Sequence, residues 1–151
     1  MFSHPDPEVL VVGAGPVGLV TALFLQHYGV RVEIIDMHHR TTQHSYALAV
    51  HPRTLEILEE TGLAGALINA GRKLTKVAYY EGRERRVEID YSRLASTHPH
   101  LLVIRQSVLE RTIEEALRQK NVKVLWGHRL QGLTVEDATV RTGQVDERAV
   151  L

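Results

Sequence analysis

The 151-residue sequence contains no cysteine, which excludes disulfide frameworks, thiol nucleophiles and thiolate metal sites together. Neither sign of charge is in excess, since Lys plus Arg and Asp plus Glu each number 18. A protein that tracks nucleic-acid phosphates carries a basic surplus, so no nucleic-acid partner is expected. The N-terminus, Met1-Phe2-Ser3-His4-Pro5-Asp6-Pro7, lacks a cationic segment ahead of an apolar one. No signal peptide is therefore expected, and the cytoplasm is the expected compartment. The uncharged run from Val9 to Leu25 is interrupted by Gly13, Gly15, Pro16 and Gly18. A membrane span wants about 20 apolar residues, so none is expected.

What is present is the composition of a globular domain, 44% hydrophobic and 24% charged. A chain of this size buries roughly two thirds of its unfolded surface. The pattern along it predicts an α/β fold. Val9 to Val12 is a short aliphatic run bounded by charge and glycine, which predicts a strand buried on both faces. From Pro16 to Tyr28 the residues form helices well, with Val17, Val20, Leu23 and Phe24 expected against a sheet and Gly29 as the stop. Val30 to Ile35 returns to strand character and ends at Asp36. Strand, helix and strand in this order predict a parallel pair with a right-handed crossover.

Met37 to Ser45 reads as a loop. Helices are expected over Arg53 to Glu60 and Leu63 to Ala70, with a hairpin from Leu74 to Tyr80 and Arg85 to Ile89 whose alternation is imperfect. Ser107 to Lys120 is the clearest amphipathic helix, with Val108, Leu109, Ile113, Ala116 and Leu117 on one face and Glu and Arg on the other. Val122 to Trp126 predicts a strand. Leu130 to Val135 and Ala138 to Arg141 predict a strand pair, and Ala149 to Leu151 a further strand.

The chemistry lies in Gly13-Ala14-Gly15-Pro16-Val17-Gly18, a G-x-G-x-x-G between a predicted strand and a predicted helix. Asp36 stands at the end of the next strand. Gly13 permits the tight turn, Gly15 lets a pyrophosphate approach the backbone, and Gly18 lets helix and strand pack closely. The unpaired amides of the helix start favour an anion, and a carboxylate at position 36 can accept from ribose hydroxyls. Leu19-Val20 stand where a Walker P-loop needs Lys and Ser or Thr, so that motif is excluded. An acid at position 36 also disfavours a 2′-phosphate, which leaves FAD or NAD. The loop histidines His38, His39, His44 and His51, with His98 and His100, have no metal-ligand spacing, so no metal site is expected. Arg83, Arg85 and Arg86 read as a solvated hairpin face, Arg53 as a helix-start surface residue, and Trp126, Tyr79 and Tyr80 as core or half-buried strand residues. No general base stands out, and the catalytic residues are unknown.

The run Val11-Val12-Gly13-Ala14-Gly15-Pro16-Val17-Gly18-Leu19 resembles the flavin-binding start of the FAD-dependent aromatic-ring hydroxylases of the para-hydroxybenzoate hydroxylase type. Ala47-Leu48-Ala49-Val50-His51-Pro52-Arg53-Thr54-Leu55-Glu56-Ile57-Leu58, closed by Gly62-Leu63, is similar to that family's segment after the second strand. Gln106-Ser107-Val108-Leu109, followed by Ile113, is similar to the start of its helix bordering the flavin. The resemblance implies a Rossmann-like βαβ FAD-binding domain with an antiparallel hairpin, incomplete at its C-terminal side relative to the family. Residues 1–151 would be the N-terminal part of that domain, with 73–91 a hairpin on the substrate-domain side. It implies FAD as cofactor, NAD(P)H as reductant, and a small aromatic or related organic substrate that is hydroxylated with dioxygen. Gly13, Gly15, Pro16, Val17 and Gly18 would hold the pyrophosphate, Asp36 the adenosine ribose and Gln106 the middle of FAD near the ribityl chain. The backbone of Leu130 would meet the adenine.

Three departures stand beside this resemblance. Tyr46 replaces an arginine common in the family, Met37 follows the acid where a basic residue is frequent, and neither an Asp-Gly nor a Gly-Asp dipeptide occurs. The alternatives are therefore a stand-alone dinucleotide-binding or regulatory module, or an inactive fragment completed by a missing region or a second chain. Gln106 has its own plainer role available as a helix cap.

Overall fold

The structure, a computed structural model, describes residues 7–39, 46–136, 139–142 and 145–146. In chain order the elements are β1 (Val9–Val12), α1 (Pro16–His27), β2 (Val32–Asp36), β3 (Ala47–Val50), α2 (Pro52–Glu59), α3 (Ala64–Ala70), β4 (Arg72–Leu74), β5 (Lys76–Glu81) and β6 (Glu84–Asp90). A 3-10 turn at Tyr91–Arg93 leads to β7 (Leu101–Arg105), α4 (Gln106–Gln119), β8 (Val124–Trp126), β9 (Arg129–Leu130), β10 (Leu133–Glu136), β11 (Thr139–Thr142) and β12 (Val145–Asp146). The chain forms two compact units, residues 1–43 with 113–151 and residues 44–112.

In the first unit, β1, β2 and β8 form a parallel sheet in the order β1-β2-β8. The parallel pairing expected from the strand-helix-strand order is present, with Val9 opposite Val32 and Val12 opposite Ile35. α1 packs on it through Leu19, Ala22 and Leu23, all fully buried, over Ile34 and Ile35 of β2. This corrects the expected face: Val17 is 81% exposed and only Leu23 of the four anticipated residues is buried. The expected double burial of β1 also fails, since Val9, Leu10 and Val11 are half-buried and Val12 is 56% exposed. Ile113 and Leu117 from the second half of α4 are fully buried, and Trp126 Nε1–H donates to Glu114 Oε1 (3.1 Å), tying β8 to that half-helix. β10 and β11 pair antiparallel as expected, while Leu130 belongs to a separate strand, β9, paired with β12. The predicted strand at 149–151 and the loop residues 40–45 lie outside the described residues.

In the second unit, β7 is the centre of an antiparallel sheet in the order β3-β7-β4. Leu102 and Ile104 of β7, with Leu55, Leu58, Leu63 and Leu67 from α2, α3 and their connection, are buried there. α2 begins at Pro52, whose fixed φ suits the first helical position, and His51 Nδ1 accepts from the Arg53 amide (3.3 Å) as its cap. β5 and β6 form the expected hairpin around Gly82, which takes φ +59° in a two-residue turn. Leu74 is not part of it, since it pairs in β4 with Leu101. The imperfect alternation has a structural cause: Tyr79 faces Val87 and Tyr80 faces Arg85, so Arg86 is an extra, bulged residue. Val77, Tyr79, Val87 and Ile89 share one face, and Tyr79, Tyr80, Val87 and Ile89 are exposed. Tyr79 and Tyr80 are thus surface residues, contrary to the core or half-buried place expected of them. Arg85 pairs with Glu88, and Arg86 with Glu81 and Glu84, as a solvated charged face.

No helix among the described residues is long and apolar enough to cross a membrane.

Candidate functional site

The glycine turn stands between the end of β1 and the start of α1. Gly13 takes φ +104°, a conformation strained for a side-chain-bearing residue, and its N–H donates to the Ile35 carbonyl (2.8 Å). A Cβ on Gly18 would lie 1.9 Å from the Gly13 carbonyl oxygen, so helix and turn approach too closely for any other residue. Gly15 differs. A Cβ there would meet nothing within 4 Å, so its lack of a side chain leaves open space rather than relieving a clash.

Gly15 is the N-cap of α1 and offers no side-chain cap, and Leu19 N–H makes the first intrahelical bond, to Gly15 O (2.9 Å). Val17 and Gly18 precede the first possible intrahelical acceptor, and Pro16 has no N–H to satisfy. The helix start therefore presents backbone donors and partial positive charge beside the open space over Gly15. Val12 and Val17 stand exposed on either side of the turn.

Asp36 is joined to this turn. Its Oδ2 accepts from the Ala14 amide (2.7 Å) and its Oδ1 from the His38 amide (2.8 Å). Each carboxylate oxygen keeps further acceptor capacity, so the group fits ribose hydroxyls while it also holds the loop. Around the same strand end, Gly127 N–H donates to His38 O and His128 N–H to Asp36 O, both at 2.9 Å. That link, absent from the sequence reading, carries the chain from β8 to β9 and Leu130. The residues of the turn, Asp36 and the Leu130 strand thus all belong to the first unit.

Gln106 belongs to the second unit, as the first residue of α4. Its N–H donates to the Tyr46 carbonyl (2.9 Å) and its side-chain Nε2 to Glu110 Oε1 (2.8 Å). The amide is thus held one turn along the helix by Glu110 rather than capping the helix start. Tyr46 is 71% exposed and its side chain supplies no positive charge. Glu110 itself was missed in the sequence, because a Glu in an amphipathic helix reads as a polar-face residue, whereas here it is 1% exposed.

Among the described residues no three His, Cys, Asp or Glu side chains are grouped to hold a metal ion. His98 instead pairs with Glu59 (2.7 Å) and stacks edge-on against His100, and Ser96 Oγ donates to Glu56 Oε1 (2.6 Å). Burial, followed by the charges of Lys73 and His98, holds the His100 imidazole below its ordinary value.

A parallel βαβ unit with a glycine turn at the helix start is of the dinucleotide-binding class. A family model described as "FAD binding domain" matches residues 6–149, and the chain belongs to that family. FAD is the family's cofactor, and the open glycine cradle and uncapped helix start fit its pyrophosphate. The chain is 41% identical over 123 residues to a 6-methylpretetramide 4-monooxygenase from Streptomyces rimosus, covering 80% of this chain and 22% of the relative. It is 32% identical over 136 residues to a para-nitrophenol 4-monooxygenase from a Pseudomonas strain, covering 87% and 34%. The crystal structure of p-nitrophenol 4-monooxygenase from Pseudomonas putida superposes with a TM-score of 0.81 at 31% identity, again over 87% of this chain and 34% of that one. The chain therefore spans between 22% and 34% of the length of these relatives.

Proposed function

We propose that the chain is the FAD-binding part of a flavin-dependent monooxygenase that hydroxylates an aromatic or related small organic substrate with dioxygen and NAD(P)H. The observation that carries the reading is the glycine turn locked to Asp36 by the Ala14 amide, on a chain that belongs to the FAD-binding domain family. In this reading the amides at Gly15, Val17 and Gly18 hold the pyrophosphate, with Pro16 setting the helix start. Asp36 accepts from the adenosine ribose, Leu130 meets the adenine through its backbone, and Gln106 faces the ribityl chain.

When bound, FAD supplies the redox chemistry, and this chain's residues bind it, orient it and keep water from it. The apolar face of β5 and β6 supports placing residues 73–91 on the substrate-domain side, where a further region of the protein covers it. A cysteine-free chain dependent on reduced pyridine nucleotide also suits the cytoplasm.

The test is a titration with FAD, followed by flavin fluorescence and visible absorbance, with NAD as control and circular dichroism as the check on folding. Saturable binding of FAD in preference to NAD is expected. Substrate-dependent oxidation of NAD(P)H with formation of a hydroxylated product, by the protein as its native gene encodes it, then tests the oxygenase reading. A folded protein indifferent to FAD sinks both.

A further inference from the structure

Glu110 is 1% exposed on α4, and only one of its two carboxylate oxygens is satisfied. Oε1 accepts from Gln106 Nε2 at 2.8 Å, whereas Oε2 is buried without a hydrogen-bond partner. A buried acceptor left unpaired destabilises a fold by more than the bond it makes returns, and an apolar side chain of similar volume is commonly the more stable choice. Leu109 and Ile113, which flank Glu110 on the same helix and are themselves buried, show that this stretch accepts aliphatic side chains. Packing therefore does not account for the carboxylate.

What Glu110 does is fix the orientation of its neighbour. Glu110 Oε1 accepts from Nε2, so the Gln106 carboxamide turns its NH2 end toward Glu110 and its carbonyl Oε1 away. The main chain of Gln106 is fixed as well, through its N–H on the Tyr46 carbonyl at 2.9 Å. Both anchors favour this one orientation of the Gln106 carboxamide, and its Oε1 has no partner among the described residues. The group it presents is an acceptor, and its complement is a donor, which a hydroxyl supplies.

We infer that Glu110 is a positioning residue that locks Gln106 as a hydrogen-bond acceptor for a hydroxyl of the flavin's polyol chain. This deepens the proposed function and rests on its placement of Gln106 against FAD. Glu110 acts through Gln106 and does not itself touch the ligand.

A double-mutant cycle on the protein as its native gene encodes it, stripped of flavin and titrated with FAD, tests the inference, with thermal unfolding of each flavin-free variant recorded in parallel. Gln106→Ala is expected to weaken FAD binding about tenfold and Glu110→Leu about fivefold, in the range of one lost hydrogen bond. Combined with Gln106→Ala, Glu110→Leu is expected to bring no further loss, because the group it orients is gone. A merely structural Glu110 would make the Leu variant unfold at a lower temperature, and its effect on FAD would be absent or would add in full to that of Gln106→Ala. Either outcome overturns the inference. An unchanged affinity in a folded Gln106→Ala overturns the placement of Gln106, and with it the role of Glu110, so the two failures are distinct. Should Glu110→Leu not fold, the isosteric Glu110→Gln carries the cycle. Its side-chain carbonyl still accepts from Gln106, but its own NH2 end can also turn toward Gln106 Oε1, and a loss of about twofold, confined to the Gln106 background, is expected.

Discussion

The amide of Ala14 donates to Asp36 Oδ2 at 2.7 Å across 22 residues of sequence, joining the glycine turn to the end of the second strand. The acid at position 36 is therefore part of the turn's construction as well as the group proposed for the ribose. Asp36→Ala leaves the Ala14 and His38 amides without their acceptor and should lower stability by about 1–3 kcal/mol. FAD affinity should fall at least about tenfold with it. Asp36→Asn keeps one acceptor oxygen but sets an NH2 against one of the two amides, so it should lie between the wild type and Ala. Denaturant midpoints and flavin titrations measure the two effects separately, and a folded Ala variant with undiminished affinity would sink the ribose assignment.

Two glycines of one motif should respond oppositely to the same added methyl group. Gly18→Ala forces a Cβ to within 1.9 Å of the Gly13 carbonyl, and pushing helix from turn should destabilise the protein by about 1–3 kcal/mol or more. Gly15→Ala meets nothing within 4 Å, so its unfolding midpoint should stay near that of the wild type while FAD binding is strongly impaired. Equal stability losses at both positions would remove the argument that the space over Gly15 is for a ligand.

Stability of the second unit should decline in mild acid. His100 is 6% exposed and is held below its ordinary value of 6.5 by burial first, then by Lys73 and His98. The unfolded chain therefore takes up the proton before the folded one does. The contribution is whole above 6.5 and is lost as pH falls from there through the folded value. Glu56, lowered from 4.5 chiefly by its bond from Ser96 and then by Arg53, acts in a more acidic window, keeping its contribution above 4.5 and losing it below. Urea unfolding at about pH 7.5 and 5.5 should show the decline, and His100→Leu should flatten it. An unaltered slope in that variant would assign the effect to other groups.

Substitutions on the apolar face of the hairpin should separate flavin from substrate. Val87→Thr with Ile89→Thr should leave FAD affinity within about twofold, because these residues are not among those assigned to the cofactor, while removing apolar area that a covering region would bury. In the protein as its native gene encodes it, the same pair should weaken substrate binding or lower the unfolding temperature. A protein indifferent in both respects would detach the hairpin from the substrate-domain side.

The first βαβ unit was legible because its signals agree: a short aliphatic run, three glycines at fixed offsets, a helix stop at Gly29 and an acid after the second run. β3, β4 and β7 were not anticipated. Ala47 and Ala49 give β3 little strand character, and Arg72-Lys73-Leu74 is too short to show a period. Leu101-Leu102-Val103-Ile104 did carry a signal, a continuous apolar run such as a central strand produces. The face of α1 was misjudged because the helix is apolar nearly all round, so periodicity selected no side, and contact with Ile34 and Ile35 of β2 decided it. Glu110 was invisible for the opposite reason, since its partner and its burial exist only once the chain is folded.

The extra residue at Arg86 bears on how copies of the chain behave toward one another. Among the described strands β5 and β6 pair only with each other, so each has an outer row of amides and carbonyls that none of those strands pairs. A bulge breaks the regular spacing of one such row and adds local twist, and here it places an arginine at the break. Deleting that single residue would straighten a ribbon that already bears exposed Tyr79, Val87 and Ile89, favouring growth of sheets from molecule to molecule. One irregular residue thus makes this edge a poorer template for a further strand.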